Sequence, residues 1–194
     1  MKGMIQVYTG NGKGKTTAAI GLSIRALGAG KVVMFLQFMK AKGYSEHRLL
    51  AGLSPQITLE TVGKPFFILP EGEIADGEKE KWGKNLVVFP PGNPPPDYQA
   101  MIDAGLALTA EALSGGEYDL VVLDEINVAL DYGLIGWPEL EALLDRRDER
   151  TEVVLTGRGA PAELMEKADL VTEMKEIKHY YREQGLYARV GIES

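Results

Sequence analysis

The chain has 194 residues, 45% of them hydrophobic and 25% charged, which suits one globular unit with a proper core. Its formal net charge of -7 argues against broad attraction to nucleic acid, although local backbone donors can still hold an anion. With no cysteine there is no disulfide, thiolate metal site or cysteine nucleophile.

Met4 to Tyr8 reads as the first buried strand. No basic segment with a long apolar stretch precedes it, so neither a signal peptide nor a membrane span is predicted, and the expected setting is cytoplasmic. Lys15 to Leu27 follows as a helix, and Lys31 to Phe38 as a second strand rich in Val, Leu and Phe. From Gly63 to Asp97 seven prolines interrupt the chain, so this stretch is predicted to be mostly loop, with Leu86 to Phe89 as a short edge strand. Asp97 to Leu113 is the next helix, Leu120 to Leu123 a strand, and Trp137-Pro138 opens a further helix. Glu152 to Leu155 is a strand, Pro161 to Ala168 a short helix, and Leu186 to Ser194 a tail with weak strand character. Strands alternating with helices imply an α/β domain over 1–194, a parallel sheet flanked by helices, with a proline-rich loop at about 63–97.

The sharpest motif is Thr9-Gly10-Asn11-Gly12-Lys13-Gly14-Lys15-Thr16-Thr17, between the first strand and the first helix. Glycines allow the turn, backbone N–H groups face one anion, and the helix N-terminus adds its dipole: this is a P-loop. Lys15 places an ammonium on the phosphates and Thr16 offers a hydroxyl to Mg²⁺. Thr9 stands where the usual spacing has its first glycine, and Gly10 serves instead. A second strand ends in Asp124-Glu125, carboxylates that emerge beside the P-loop and can hold Mg²⁺ directly or through water. A third ends in Thr156-Gly157-Arg158-Gly159, where Arg158 is either a phosphate ligand or an ordinary turn arginine. Gln37 and Lys40 sit at or just past a strand end, within reach of a ligand. Arg25 lies roughly 15 Å along the helix from Lys15, too far for the same phosphate, and is assigned to another part of the ligand or a second subunit. Phe66, Phe67 and Ile68 either line a pocket or pack. His47 and His179 are expected at the surface.

Together, Gly10 to Ala19, Gln37 to Lys40, Val121 to Ile135, Leu155 to Pro161 and Ala168 to His179 resemble the corrinoid adenosyltransferases of the CobA/CobO/BtuR type. The Asp124-Glu125-Ile126-Asn127-Val128-Ala129-Leu130-Asp131-Tyr132-Gly133 and Thr156 to Pro161 runs carry most of that likeness. The resemblance implies a RecA-like P-loop fold, a homodimer, ATP and Mg²⁺, and a reduced corrinoid (cobalamin) whose Co(I) attacks the ribose C5′ and releases triphosphate. It implies a reductase that supplies Co(I), Asn127 among the ligand-binding residues, and Lys15, Arg158 and Phe66 as the residues carrying the reaction. Phe66 would displace a lower cobalt ligand. Ile68 stands where many relatives have tryptophan. A γ-phosphoryl-transferring kinase or ATPase, or a binding module that holds an adenosylated corrinoid, would use the same ATP motifs.

Overall fold

The computed structural model describes residues 2–53, 55–73, 85–186 and 188–192. In chain order its elements are β1 (Ile5–Thr9), α1 (Lys15–Gly28), β2 (Val33–Phe38), α2 (Ser45–Ala51), β3 (Ile57–Val62), β4 (Phe67–Pro70) and β5 (Leu86–Phe89). There follow α3 (Pro96–Ser114), β6 (Leu120–Asp124), α4 (Ile126–Asp131), α5 (Trp137–Asp145), β7 (Glu152–Thr156), α6 (Ala162–Lys167), β8 (Leu170–Glu173) and α7 (Tyr180–Gln184). Six strands form one sheet in the order β3-β2-β6-β7-β1-β8, and every pairing is parallel. This is the α/β arrangement that alternation predicts, consistent with a RecA-like P-loop fold. None of the described helices is long and apolar enough to cross a membrane.

The central strands are apolar on both faces because both faces are covered. In β2, Val33 and Phe35 pack with Ala19 and Ala26 of α1 and Leu50 of α2, whereas Met34, Leu36 and Phe38 pack with Ile102, Leu106 and Leu113 of α3. The same alternation runs through β6, with Leu120 and Val122 on the α1 side and Val121 and Leu123 on the other. Two-residue periodicity therefore decides where each strand-end side chain points.

The 63–97 stretch departs from the prediction. Phe67–Pro70 and Leu86–Phe89 pair in parallel as a separate two-stranded sheet, so the second is not an edge of the main sheet. Prolines are tolerated because Pro70 ends β4 and Pro90 follows β5, positions where a missing donor breaks no interior ladder bond. Ile68 and Phe89 turn inward and join the core beside Tyr98. The helix expected from Asp97 starts one residue earlier, at Pro96. α2, β3, β4, α4, β8 and α7 are additional to the predicted elements. The described residues of the 186–194 tail contain no strand, and residues 187, 193 and 194 lie outside the description.

Candidate functional site

The P-loop turns where predicted, between β1 and α1. Gly10 has φ 91°, and a Cβ there would lie 2.5 Å from the Met174 carbonyl oxygen, so both conformation and space demand glycine. The Gly12 N–H donates to that same carbonyl at 2.6 Å, which ties the loop to the segment after β8. Lys15 Nζ donates to the loop's own carbonyls, Gly10 O at 2.6 Å and Gly12 O at 2.9 Å. Burial lowers the Lys15 pKa from its ordinary value; nearby Glu125 opposes this and Arg158 reinforces it.

Register then assembles a row that the sequence does not announce. β2 pairs Gln37 with Asp124, and β7 carries Thr156 one step past the Leu123–Leu155 pair. All three continue the alternation toward α1, so their side chains meet over its first turn. The Asp124 carboxylate is fully buried and takes four donors. Oδ1 accepts from Thr156 Oγ1 at 2.6 Å and Thr16 Oγ1 at 2.9 Å; Oδ2 accepts from Lys40 Nζ at 2.7 Å and Gln37 Nε2 at 2.9 Å. Burial alone would raise the Asp124 pKa, but the Lys40 charge and these bonds outweigh it and hold it below the ordinary value. Its neighbour Glu125 goes the other way, pushed up by burial and then by the Asp124 charge. The pair thus holds one fixed negative charge and one carboxyl that takes up a proton more readily.

Lys40 Nζ sits among the oxygens assigned to metal binding: 2.7 Å from Asp124, 3.1 Å from Thr16 Oγ1 and 4.0 Å from Glu125. A cation is therefore already held by this oxygen set. Burial works against its charge, yet Asp124 and Glu125 raise its pKa overall. Two non-glycine residues in left-handed conformation flank the spot, Met39 at φ 58° and Glu125 at φ 63°. Strain of this kind persists where surroundings over-determine it, commonly at functional sites. Among the described residues no group of three or more His, Cys, Asp or Glu could cage a metal. Magnesium, which keeps waters and takes phosphate oxygens, does not need one.

Three cavities with shared lining residues adjoin here. One of 680 Å³ covers the P-loop from Gly12 to Thr17 with Lys40 and Glu125. One of 370 Å³ lies beside it, lined by Asn11, Lys13, Lys15, Glu125, Arg158 and Tyr132 among others. The third, of 460 Å³, has an apolar wall of Met39, Pro65, Phe66 and Phe67. Tyr44 and Phe67 line all three. Arg158 is exposed into the middle cavity between Gly157 and Gly159; a Cβ on Gly159 would meet the Asp131 carboxylate at 2.4 Å. Phe66 is half-buried, its ring 6.3 Å from that of Tyr98, so it both lines the outer cavity and packs on the core.

The predicted residues thus fall into groups. Asn11 to Thr17, Lys40, Glu125 and Arg158 converge on the cavities. Gly10 shapes the loop, and Asp124 lies beneath it. Gln37 is buried, with its amide engaged by Asp124 and His47, and lines none of the three cavities. Asn127 is buried behind the 156–159 turn, its Nδ2 donating to Gly157 O at 3.2 Å. Arg25 is not brought to the site: it is exposed in the last turn of α1, where its charge acts on Tyr8. His47 is not at the surface but 8% exposed. Thr156 and Tyr44 were not singled out from sequence. The signal for Thr156 was available in Glu152-Val153-Val154-Leu155-Thr156, where even positions share the Asp124 face.

The family model described as ATP:corrinoid adenosyltransferase BtuR/CobO/CobP matches residues 1–194. A corrinoid adenosyltransferase of Pseudomonas aeruginosa is 32% identical over 193 residues, covering 99% of this chain and 84% of that protein. One of Escherichia coli K12 is 32% identical over 192 residues, covering 99% and 86%. One of Sinorhizobium is 34% identical over 197 residues, covering 99% and 80%.

Proposed function

The chain belongs to the ATP:corrinoid adenosyltransferase family, a family of transferases, and from that premise we propose that it moves the adenosyl group of ATP onto the cobalt of a reduced corrinoid. The observation that carries the reading is continuity. The phosphate cradle, the Lys15–Arg158 cavity and the outer cavity with its partly apolar wall share Tyr44 and Phe67 in their linings, so donor and acceptor spaces adjoin.

The reaction asks for no protein base. Co(I) brings its own electron pair; the Co–C5′ bond forms as the C5′–O5′ bond breaks, and that bond's pair leaves on triphosphate. Cobalt is oxidised from Co(I) to Co(III). Charge gathers on the leaving triphosphate, and Lys15, Arg158 and the loop amides other than that of Gly12 would stabilise it. For Lys15 this means exchanging the Gly10 and Gly12 carbonyls for phosphate oxygens. Thr16, Asp124 and Glu125 fit Mg²⁺, because the same oxygens already hold the Lys40 ammonium. When bound, Mg²⁺ neutralises triphosphate charge. Holding C5′ in line with cobalt falls to the cavity walls. Phe66 and its apolar neighbours exclude water and press on the lower cobalt face, favouring the four-coordinate state that is easier to reduce. Family membership also supports a homodimer, a separate reductase and a cytoplasmic setting.

The test is an anaerobic assay with chemically reduced cobalamin, ATP and Mg²⁺. Loss of the Co(I) absorbance with a light-sensitive alkylcobalamin product is expected. Unchanged Co(I) while ATP is consumed would replace this reading with phosphoryl transfer.

A further inference from the structure

His47 and Gln37 line none of the three cavities, yet they join the cavity wall to the buried carboxylate. His47 lies in the first turn of α2 with both ring nitrogens engaged. The Gly43 N–H donates to Nδ1 at 3.1 Å. A backbone amide can only donate, so Nδ1 is the acceptor and the ring proton sits on Nε2. Nε2 is 2.5 Å from Gln37 Oε1 and therefore donates to it. That fixes the Gln37 amide as well: its oxygen faces the ring and its Nε2 donates to Asp124 Oδ2 at 2.9 Å. The reversed amide would set a carbonyl against a carboxylate. All four groups thus point one way, from Gly43 through His47 and Gln37 to Asp124. The buried, neutral segment of this chain leaves no second arrangement with equal satisfaction. Its far end is part of the 39–45 loop, whose residues Met39, Tyr44 and Ser45 line the cavities.

We propose that His47 is a positioning residue: acting through Gln37, it fixes the Asp124 carboxylate for the cation and ties that carboxylate to the order of the 39–45 loop. The inference rests on the assignment of Asp124 to Mg²⁺ made above. Without the Nε2 donor, Gln37 is free to rotate, and Asp124 Oδ2 loses one of its two donors, keeping only the Lys40 ammonium, which shares its oxygen set with the metal.

Mn²⁺ binding to the full chain, with ATP present and corrinoid omitted, reads this without turnover. His47→Leu, which keeps bulk and loses both nitrogens, should weaken Mn²⁺ about 10-fold, the usual scale for a group that orients a ligand. His47→Gln, which restores a donor near the Nε2 position, should recover most of that affinity. Gln37→Leu should match His47→Leu, and the double variant should be no weaker than either alone, the signature of one linked chain. If His47→Leu does not fold, His47→Asn serves, since it keeps an acceptor for Gly43 and removes the reach to Gln37. Mn²⁺ affinity unchanged in the folded variants, or losses that add in the double variant, would overturn the proposal. Asp124→Asn separates the two levels: if it binds Mn²⁺ like the unaltered chain, the metal assignment fails and the relay falls with it. If Asp124→Asn loses Mn²⁺ while the His47 variants do not, only the relay fails.

Discussion

The donor and acceptor sides of the site are built differently. On the donor side the Asp124 carboxylate is buried and takes four donors from three segments, so its position is over-determined. On the acceptor side Phe66 is half-buried and Phe67 is 53% exposed, held by a two-stranded sheet set apart from the main one. A charge must be fixed before it can stabilise a leaving group, whereas an apolar wall needs only shape. The contrast teaches that substitutions on the donor side should be severe and all-or-none, and those on the acceptor side graded.

The largest effect expected is at Lys15. Lys15→Ala should cut ATP-dependent turnover by at least about 100-fold, the scale for loss of one preorganised charge partner. It should leave the fold intact, since among the described residues Lys15 Nζ bonds to the loop carbonyls of Gly10 and Gly12; turnover at the unaltered rate would remove the phosphate site from this loop. Next comes Lys40→Met. It strands the buried Asp124 charge, so unfolding free energy should fall by about 3 kcal/mol, measured by denaturant titration. Added Mg²⁺ should restore part of that loss, because metal and ammonium bind one oxygen set. A loss indifferent to Mg²⁺ would separate the two.

Phe66→Ala should be milder, slowing transfer to cobalamin about 10-fold through lost positioning while ATP affinity holds. A variant that simply unfolds would assign Phe66 to the core, where its contact with Tyr98 already places part of it. The smallest effect concerns pH. Burial lowers the His47 pKa from its ordinary 6.5, so the folded chain resists a proton that the unfolded chain accepts. Stability should therefore fall as pH drops below about 6.5, and level off below the folded value. Thermal melts of His47→Leu against the unaltered chain should differ in that window; parallel curves would mean that His47 is as readily protonated folded as unfolded.

Much of the donor side was legible because local signals and global fold agree there. Gly10 to Thr17 carries its own turn chemistry, and Asp124 follows an apolar run. What escaped was anything set by register. Gln37, named from sequence only as within reach of a ligand, stands one residue before the end of β2, and Thr156 ends β7; both strands are apolar on both faces, which hides the two-residue rhythm that aligns them with Asp124. His47 sits in Ser45-Glu46-His47-Arg48, which reads as surface, and only the packing of α2 against β3 and the core at Leu50 turns it inward. Helix position already put Arg25 too far for the phosphates, and its side chain lines none of the three cavities, so no other part of this chain's site takes it up. On the acceptor side, Leu86 to Phe89 is legible as a strand, but Pro70 at the end of β4 masks its partner, and the two pair across sequence that gives no hairpin cue. Parallel pairing over such a separation is a tertiary fact rather than a local one.

The most direct test of the whole account is the phosphorus NMR spectrum of the products after one anaerobic turnover with Co(I) corrinoid. The account requires inorganic triphosphate, one per cobalt alkylated, because the bond that breaks is C5′–O5′. ADP and inorganic phosphate with Co(I) unconsumed would contradict it, leaving a family site that holds ATP but cleaves a different bond.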